Sequence, residues 1–242
     1  MKGMLTSNDQ LLLNINKHIS KLDLKLLCLM NLENLKESKS QIRQDLFVLN
    51  ELNFKTSGFF VDFGATDGIE FNNSFLLEKK YNWQGILAEP SKKWHKNLFL
   101  NRPKSIIDTR CVWKKSDTLI DFKECEENSL STITSYEKSD NHANARDKGN
   151  VYKVKTISLT DLLSFHNAPS DIDYLSIDTE GSEYDILESH DFNKYSFKII
   201  TCEHNFTSRR NEIFRLLLSK GYERKYLRND KSDFDDWYVR TY

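Results

Sequence analysis

Residues 58–68 read Gly-Phe-Phe-Val-Asp-Phe-Gly-Ala-Thr-Asp-Gly. Gly64 and Gly68, separated by Ala65, Thr66 and Asp67, give a turn whose backbone a ligand can approach. Asp62 and Asp67 add two carboxylates to it. A dinucleotide-binding turn is spaced G-x-G-x-x-G, its second glycine making room for a pyrophosphate. The spacing here is G-x-x-x-G, and paired carboxylates repel a diphosphate but attract a cation. S-adenosylmethionine, which carries a sulfonium and an ammonium, has the charge that such a turn favours. Glu89 lies about 20 residues further on, where a carboxylate at a strand end takes the ribose hydroxyls of a bound nucleotide. Pro90 stops the strand behind it. Cys111 and Val112, one strand later, stand where they would flank an adenine ring.

Such residues converge only if several strands end at one edge of a sheet. Residues 59–63 are apolar or aromatic except for Asp62 and are bounded by glycines, the pattern of a strand buried on both faces. A helix is expected from residues 72–74 onward, a second strand at 83–90, a helix at 92–100 and a third strand at 105–112. The interval 114–150 is polar, with a short strand at 119–122 and an acidic cluster at Glu124, Glu126 and Glu127. No periodicity survives over 129–150, so an irregular substrate-facing lid is expected there. Strand-like alternation resumes at 151–159, and further strands are expected at 172–178 and 197–202, each followed by a helix. Residues 222–227 and 237–240 flank a turn and read as a hairpin. This alternation describes a doubly wound α/β sheet with an antiparallel C-terminal hairpin. Residues 1–52 are leucine-rich and free of proline, and read as an N-terminal helical extension before a main domain at 53–242. Their leucines spread beyond one narrow face, which suits a homo-oligomer contact or a lid over substrate.

At 242 residues the chain accommodates one sizeable α/β domain with an extension. Lys+Arg 35 against Asp+Glu 36 leaves a net charge of -1, so no global field draws it to nucleic acid or an anionic membrane. Arg209-Arg210 and the basic residues of 224–231 are interrupted by acids and read as a solvated face. Four cysteines without a C-x-x-C pair suit reduced thiols in the cytoplasm. No signal-peptide pattern and no apolar run of about 18 residues is present, so no membrane span is expected.

Laid out in this way, the chain resembles the FkbM family of S-adenosylmethionine-dependent methyltransferases. The matching stretches are FVDFGATDG at 60–68, Asn73-Ser74 with Leu77-Glu78, WQGILAEP at 83–90, YLSIDTEGSE at 174–183, Glu203-His204-Asn205, and DDWYV at 235–239. The likeness covers the chain from about residue 40 onward, and 178–183 is its most specific part. Phe63 and Thr66 depart from the commonest pattern, which has an aliphatic residue and often Asn there; neither change removes a needed donor.

The resemblance implies a Rossmann-like class I methyltransferase sheet with S-adenosylmethionine as cofactor. Carried over position by position, Asp62, Gly64, Ala65, Asp67 and Gly68 make the cofactor turn, and Asn73 and Ser74 line it. Glu89 and Pro90 serve the ribose, and Cys111 and Val112 the adenine. Asp178, and Glu203 with His204, are expected to converge opposite the sulfonium, because ligands sit outside the carboxyl ends of the strands, with Glu180 and Glu183 orienting the site. His204 is the expected general base, its ordinary pKa being near neutral. Asp178, Glu203 and His204 together offer an open site for Mg²⁺ or Mn²⁺. The implied activity is O-methylation of a sugar or other polyhydroxylated small molecule or glycan. A nicotinamide oxidoreductase would need the absent G-x-G-x-x-G, and a non-catalytic partner subunit would act through the N-terminal helices instead.

Overall fold

The computed structural model describes residues 31–125, 130–139, 142–225 and 234–241. Residues 1–38 and 39–242 form two units. In the first, residues 31–37 are helical; the leucines before residue 30 on which an oligomer contact was expected lie outside the described residues.

In chain order the second unit contains α1 (Gln44–Glu51), β1 (Phe59–Phe63), α2 (Phe75–Tyr81), β2 (Gln84–Ala88), α3 (Lys92–Asn101), β3 (Ile106–Asp108), β4 (Cys111–Val112), β5 (Leu119–Cys125) and β6 (Thr132–Ile133). Then come β7 (Gly149–Ile157), α4 (Leu159–Phe165), β8 (Asp171–Ile177), α5 (Glu183–Glu188), β9 (Ser196–Glu203), α6 (Arg209–Ser219), β10 (Tyr222–Lys225) and β11 (Asp235–Arg240). The main sheet has the order β10-β11-β9-β8-β1-β2-β3. β1 lies near its centre, parallel to both β2 and β8, and β9 is parallel to β8. β11 runs antiparallel to both neighbours, so the expected C-terminal hairpin closes this edge.

Side chains alternate between the two faces of a strand. Val61 and Phe63 share a buried cluster with Ile86, Leu175, Leu162 of α4, Ile186 of α5 and Ile213 of α6. Phe60 points to the other face and carries the guanidinium of Arg102 over its ring at 5.4 Å. With Phe60, Val61, Asp62 and Phe63 all buried, β1 has the two-sided burial that its composition demands.

Three expectations are corrected. The second unit begins at Lys39, so α1 belongs to it rather than to an extension ending at residue 52. Phe47 of α1 stacks on Trp237 of β11 at 4.7 Å, and Gln44 Nε2 donates to Asp235 Oδ2 at 2.9 Å. The single third strand expected at 105–112 is broken at Thr109-Arg110, where the Arg110 N–H turns back onto Asp108 Oδ1 at 2.9 Å. β3 stays in the main sheet, and β4 leaves it to pair with β7. The irregular lid expected at 129–150 is not irregular throughout its described residues: β6 and the start of β7 lie there, and both pair with β5 in a second sheet of order β4-β7-β5-β6. Phe122, Ile133 and Val154, buried with Cys111, give this sheet its own small core.

Cys111, Cys125 and Cys202 are free and buried. No helix among the described residues is long and apolar enough to cross a membrane.

Candidate active site

The glycine turn folds against the ends of its neighbouring strands. Gly64 N and Ala65 N approach Ala88 O at 3.1 and 3.5 Å, and Gly68 N donates to Ala65 O at 2.8 Å. Gly64 has φ 74, and a Cβ there would lie 2.1 Å from Asp178 O, so only glycine fits this crossing of the β1 and β8 ends. Gly68 has φ 81, and a Cβ would meet Arg102 Cγ at 2.6 Å. Arg102 is fully buried and holds the turn from below. Its Nε donates to Glu78 Oε2 at 2.7 Å, Nη1 to Gly68 O at 3.1 Å and to Asn72 Oδ1 at 2.7 Å, and Nη2 to Ser74 Oγ at 3.1 Å.

The two aspartates of the turn are occupied by the protein itself. Asp62 Oδ2 accepts from Asn72 Nδ2 at 3.0 Å and from Ser74 Oγ at 2.7 Å, and burial raises its pKa. Asp67 Oδ1 accepts the N–H groups of Ile69 and Glu70 at 2.8 and 2.9 Å, as an aspartate capping a turn does. Asn73 Nδ2 donates to Ser176 Oγ at 3.0 Å, and its Oδ1 accepts from Ser40 Oγ at 2.8 Å. Asp62, Ala65, Asp67, Gly68, Asn73 and Ser74 therefore shape the turn without lining the cleft beside it. The idea that Asp62 and Asp67 face a cationic ligand is corrected accordingly.

Gly64, Glu89, Pro90, Cys111, Val112, Asp178, Glu180 and Glu203 do line one common cleft. Glu89 Oε2 accepts from Thr66 N at 2.9 Å and Oε1 from Ser91 N at 2.7 Å. These bonds fix the carboxylate while leaving each oxygen capacity for a further donor. Burial pushes Glu89 up to about 7. Cys111 and Val112 enter from the second sheet, and burial, with Glu89 nearby, pushes the Cys111 thiol up to about 12, leaving it protonated. Glu124, from the acidic cluster, fastens that sheet beside Glu89: its Oε2 accepts from Ser91 Oγ at 2.8 Å and Tyr152 Oη at 2.7 Å.

At the other end of the cleft, Asp178, Glu180 and Glu203 bring a carboxylate oxygen each within 4.8 Å of one another. Burial pushes Asp178 up to about 7, with the Glu183 and Asp62 charges adding to it. Burial, then the Asp178 charge, holds Glu203 well above the usual carboxylate range. Two adjoining carboxyls in such a place share a proton. Glu183 stays out of the cleft: its Oε1 accepts Thr179 N and Gly181 N, both at 3.0 Å, and ties the turn after β8.

His204 is turned away from this group. Its Nδ1 accepts the Phe206 N–H at 3.0 Å, and its Nε2 faces Asp236 Oδ1 at 3.7 Å. Burial lowers its pKa to about 4. It lies outside the cleft lining, so neither the expected base role nor the ligand set Asp178, Glu203 and His204 is assembled. The third member of the acidic group is Glu180, held at φ 58 with its Oε2 2.5 Å from Arg146 Nη2.

Several residues here were missed in the sequence. Arg102 and Arg146 are both fully buried, but each sits where no periodic pattern marks it. Trp94 lines the Glu89 end, and Gln41, Phe71, His142, Asn205 and Phe234 complete the cleft. A half-exposed phenylalanine at φ 56, such as Phe71, carries no signal in sequence.

A family model described as the methyltransferase FkbM domain matches residues 62–224. The chain belongs to the FkbM methyltransferase family. Comparison with curated proteins gave no match. Among solved structures, it is similar to the precorrin-6y C5,15-methyltransferase of Geobacter metallireducens, with 10% identity and a TM-score of 0.39 over 81% of this chain and 85% of that one. It is also similar to a TehB-like SAM-dependent methyltransferase of Corynebacterium glutamicum, with 7% identity and a TM-score of 0.41 over 88% and 96%. The ribosomal protein L11 methylase of Lactobacillus delbrueckii subsp. bulgaricus gives 10% identity and 0.40 over 82% and 77%. These scores are too low to add to what the strand order and the family match establish.

Membership makes S-adenosylmethionine the methyl donor of the FkbM domain. The residues fit a ligand of that kind: Gly64 gives the cleft a wall of bare backbone, and Glu89 gives it a fixed carboxylate. For a divalent ion the FkbM domain offers three convergent carboxylates rather than the expected pair with an imidazole, and the Arg146 guanidinium already engages one of them.

Proposed function

We propose that the protein is an S-adenosylmethionine-dependent O-methyltransferase acting on a hydroxyl of a sugar or similar polyhydroxylated acceptor. The observation that carries this reading is the convergence of half-buried Asp178 and buried Glu203 beside Gly64 in the cleft. When bound, the cofactor supplies an electrophilic methyl group on a sulfonium. Gly64 presents bare backbone to it at the cleft wall, Glu89 takes the ribose hydroxyls, and Pro90, Cys111 and Val112 cover the adenine. Asp178, poised near neutral, accepts the proton that the acceptor hydroxyl sheds as its oxygen takes the methyl. Glu203 carries the pair's shared proton and keeps Asp178 oriented. Burial of Glu203 and half-burial of Asp178 limit water at the reacting oxygen. The polar lining at Gln41, Asn205 and His142 beside Phe71 supports a hydroxyl-rich acceptor that presents one apolar side. Buried free thiols support a reducing compartment such as the cytoplasm.

The test is transfer of labelled methyl from S-adenosylmethionine to a panel of sugars, with and without chelation by EDTA. Methyl ethers formed by wild type and lost in Asp178→Asn support the reading. Methylation at nitrogen or carbon instead, or unchanged turnover in Asp178→Asn, contradicts it. Loss of activity on chelation would give Asp178, Glu180 and Glu203 a metal-holding role.

A further inference from the structure

The cleft is lined by five carboxylates, Glu70, Glu89, Asp178, Glu180 and Glu203, and among its described residues by no lysine or arginine. One guanidinium reaches this group from behind: Arg146, fully buried, pairs with Glu180. Asp178 and Glu203 have no cationic partner among the described residues. Glu203 is 7% exposed, lines the cleft, and its Oε2 has no hydrogen-bond partner among the described residues. A buried carboxylate oxygen in this state calls for a donor, and a group of carboxylates calls for positive charge.

We propose that the acceptor is a sugar-like amino alcohol whose ammonium is held between Glu180 and Glu203 while the adjacent hydroxyl faces Asp178. This rests on the O-methyltransferase reading above and adds the charge of the acceptor to it. An ammonium brings three donors to oxygens that lie within 4.8 Å of one another; on binding it takes the place of the proton that Asp178 and Glu203 share in the empty cleft, which leaves to water, and charge-assisted bonds of this kind are the strong ones. A neutral hydroxyl supplies the donor without the charge. A phosphate or carboxylate on the acceptor meets carboxyl groups and no lysine or arginine among the described lining residues, which disfavours nucleotide-linked and acidic sugars. A divalent ion competes for the same oxygens, although Arg146 already engages one of them, Glu180 Oε2, at 2.5 Å.

The test is calorimetry on the full chain saturated with S-adenosylhomocysteine, titrated separately with glucosamine, glucose, glucosamine 6-phosphate and MnCl₂. Glucosamine should bind at least about tenfold more tightly than glucose and than its own 6-phosphate, and Glu203→Gln should reduce that preference to about threefold or less. The wild-type comparison stands without the variant. Equal affinities for glucosamine and glucose, no uptake of glucosamine, or tight Mn²⁺ binding that Glu203→Gln abolishes overturns the proposal. Uptake of S-adenosylhomocysteine, measured first, separates the two failures. Without it the methyltransferase reading falls; with it and no preference for the amine, only the assignment of the acceptor falls.

Discussion

Arg102→Met removes a cation that no single periodic element announces, and its consequences follow from four contacts. The guanidinium neutralises buried Glu78 at 2.7 Å and also bonds Gly68 O, Asn72 Oδ1 and Ser74 Oγ. Methionine removes the guanidinium that lies over the Phe60 and Phe75 rings and leaves Glu78 buried without its partner. Breaking one partner of a buried pair costs about 3–5 kcal/mol, which for a domain of this size lowers Tm by about 6–20 °C. Asn72 and Ser74 also hold Asp62, so the slackened turn should weaken S-adenosylhomocysteine binding by about tenfold, or about 1.4 kcal/mol. Urea unfolding and calorimetry on the same preparations give both numbers. The double variant Glu78→Gln/Arg102→Met should recover at least about 1 kcal/mol of the loss, since neither partner then leaves a lone charge. A single variant within about 0.5 kcal/mol of wild type, or a double variant less stable than the single one, refutes the reasoning.

Gly64→Ala combines a left-handed backbone with a Cβ 2.1 Å from Asp178 O, and should cost about 2–5 kcal/mol and abolish S-adenosylhomocysteine binding, read by thermal unfolding and calorimetry. His204→Gln should leave cofactor affinity and methyl transfer within about twofold of wild type, because the imidazole lies outside the cleft with its Nδ1 on the Phe206 N–H; a large fall in turnover at unchanged stability would restore the base role. Stability of the ligand-free protein should fall from about pH 6.5 to about pH 8. Burial raises Glu89 and Asp178 to about 7 and Asp235 to about 8 in the folded state, so the fold holds protons that the unfolded chain has already released, and that stabilisation is lost as pH rises through these values. His190 and His204, lowered to about 4, act in the opposite sense only below their ordinary 6.5. Urea titrations across this window check the slope, and Asp235→Asn should flatten it.

What the sequence reveals follows from how each feature is encoded. β1 and its turn were legible because a two-sided buried strand needs an apolar run and the crossing at Gly64 admits no side chain. The hairpin of β10 and β11 was legible from two strand-like runs around a turn. The direction of Asp62 and Asp67 was not, because an aspartate in a turn serves a ligand or the backbone equally well in sequence, and here both serve the protein. The break after β3 depends on Arg110 folding back onto Asp108, a contact that leaves the apolar pattern of 105–112 intact. Arg102 and Arg146 look like surface residues in a polar context, and only the tertiary fold surrounds them with acceptors. His204 was favoured by its ordinary pKa, but the Phe206 N–H at 3.0 Å turns the ring away from the cleft.

The proposed methyl transfer requires the cleft between Gly64, Glu89 and Asp178 to be the cofactor site. A crystal structure of the protein with S-adenosylhomocysteine tests this most directly. The product's ribose on Glu89, its adenine against Cys111 and Val112, and its sulfur end toward Asp178 is the predicted result. An empty cleft in crystals grown at saturating product, or the product bound elsewhere on the molecule, would contradict it.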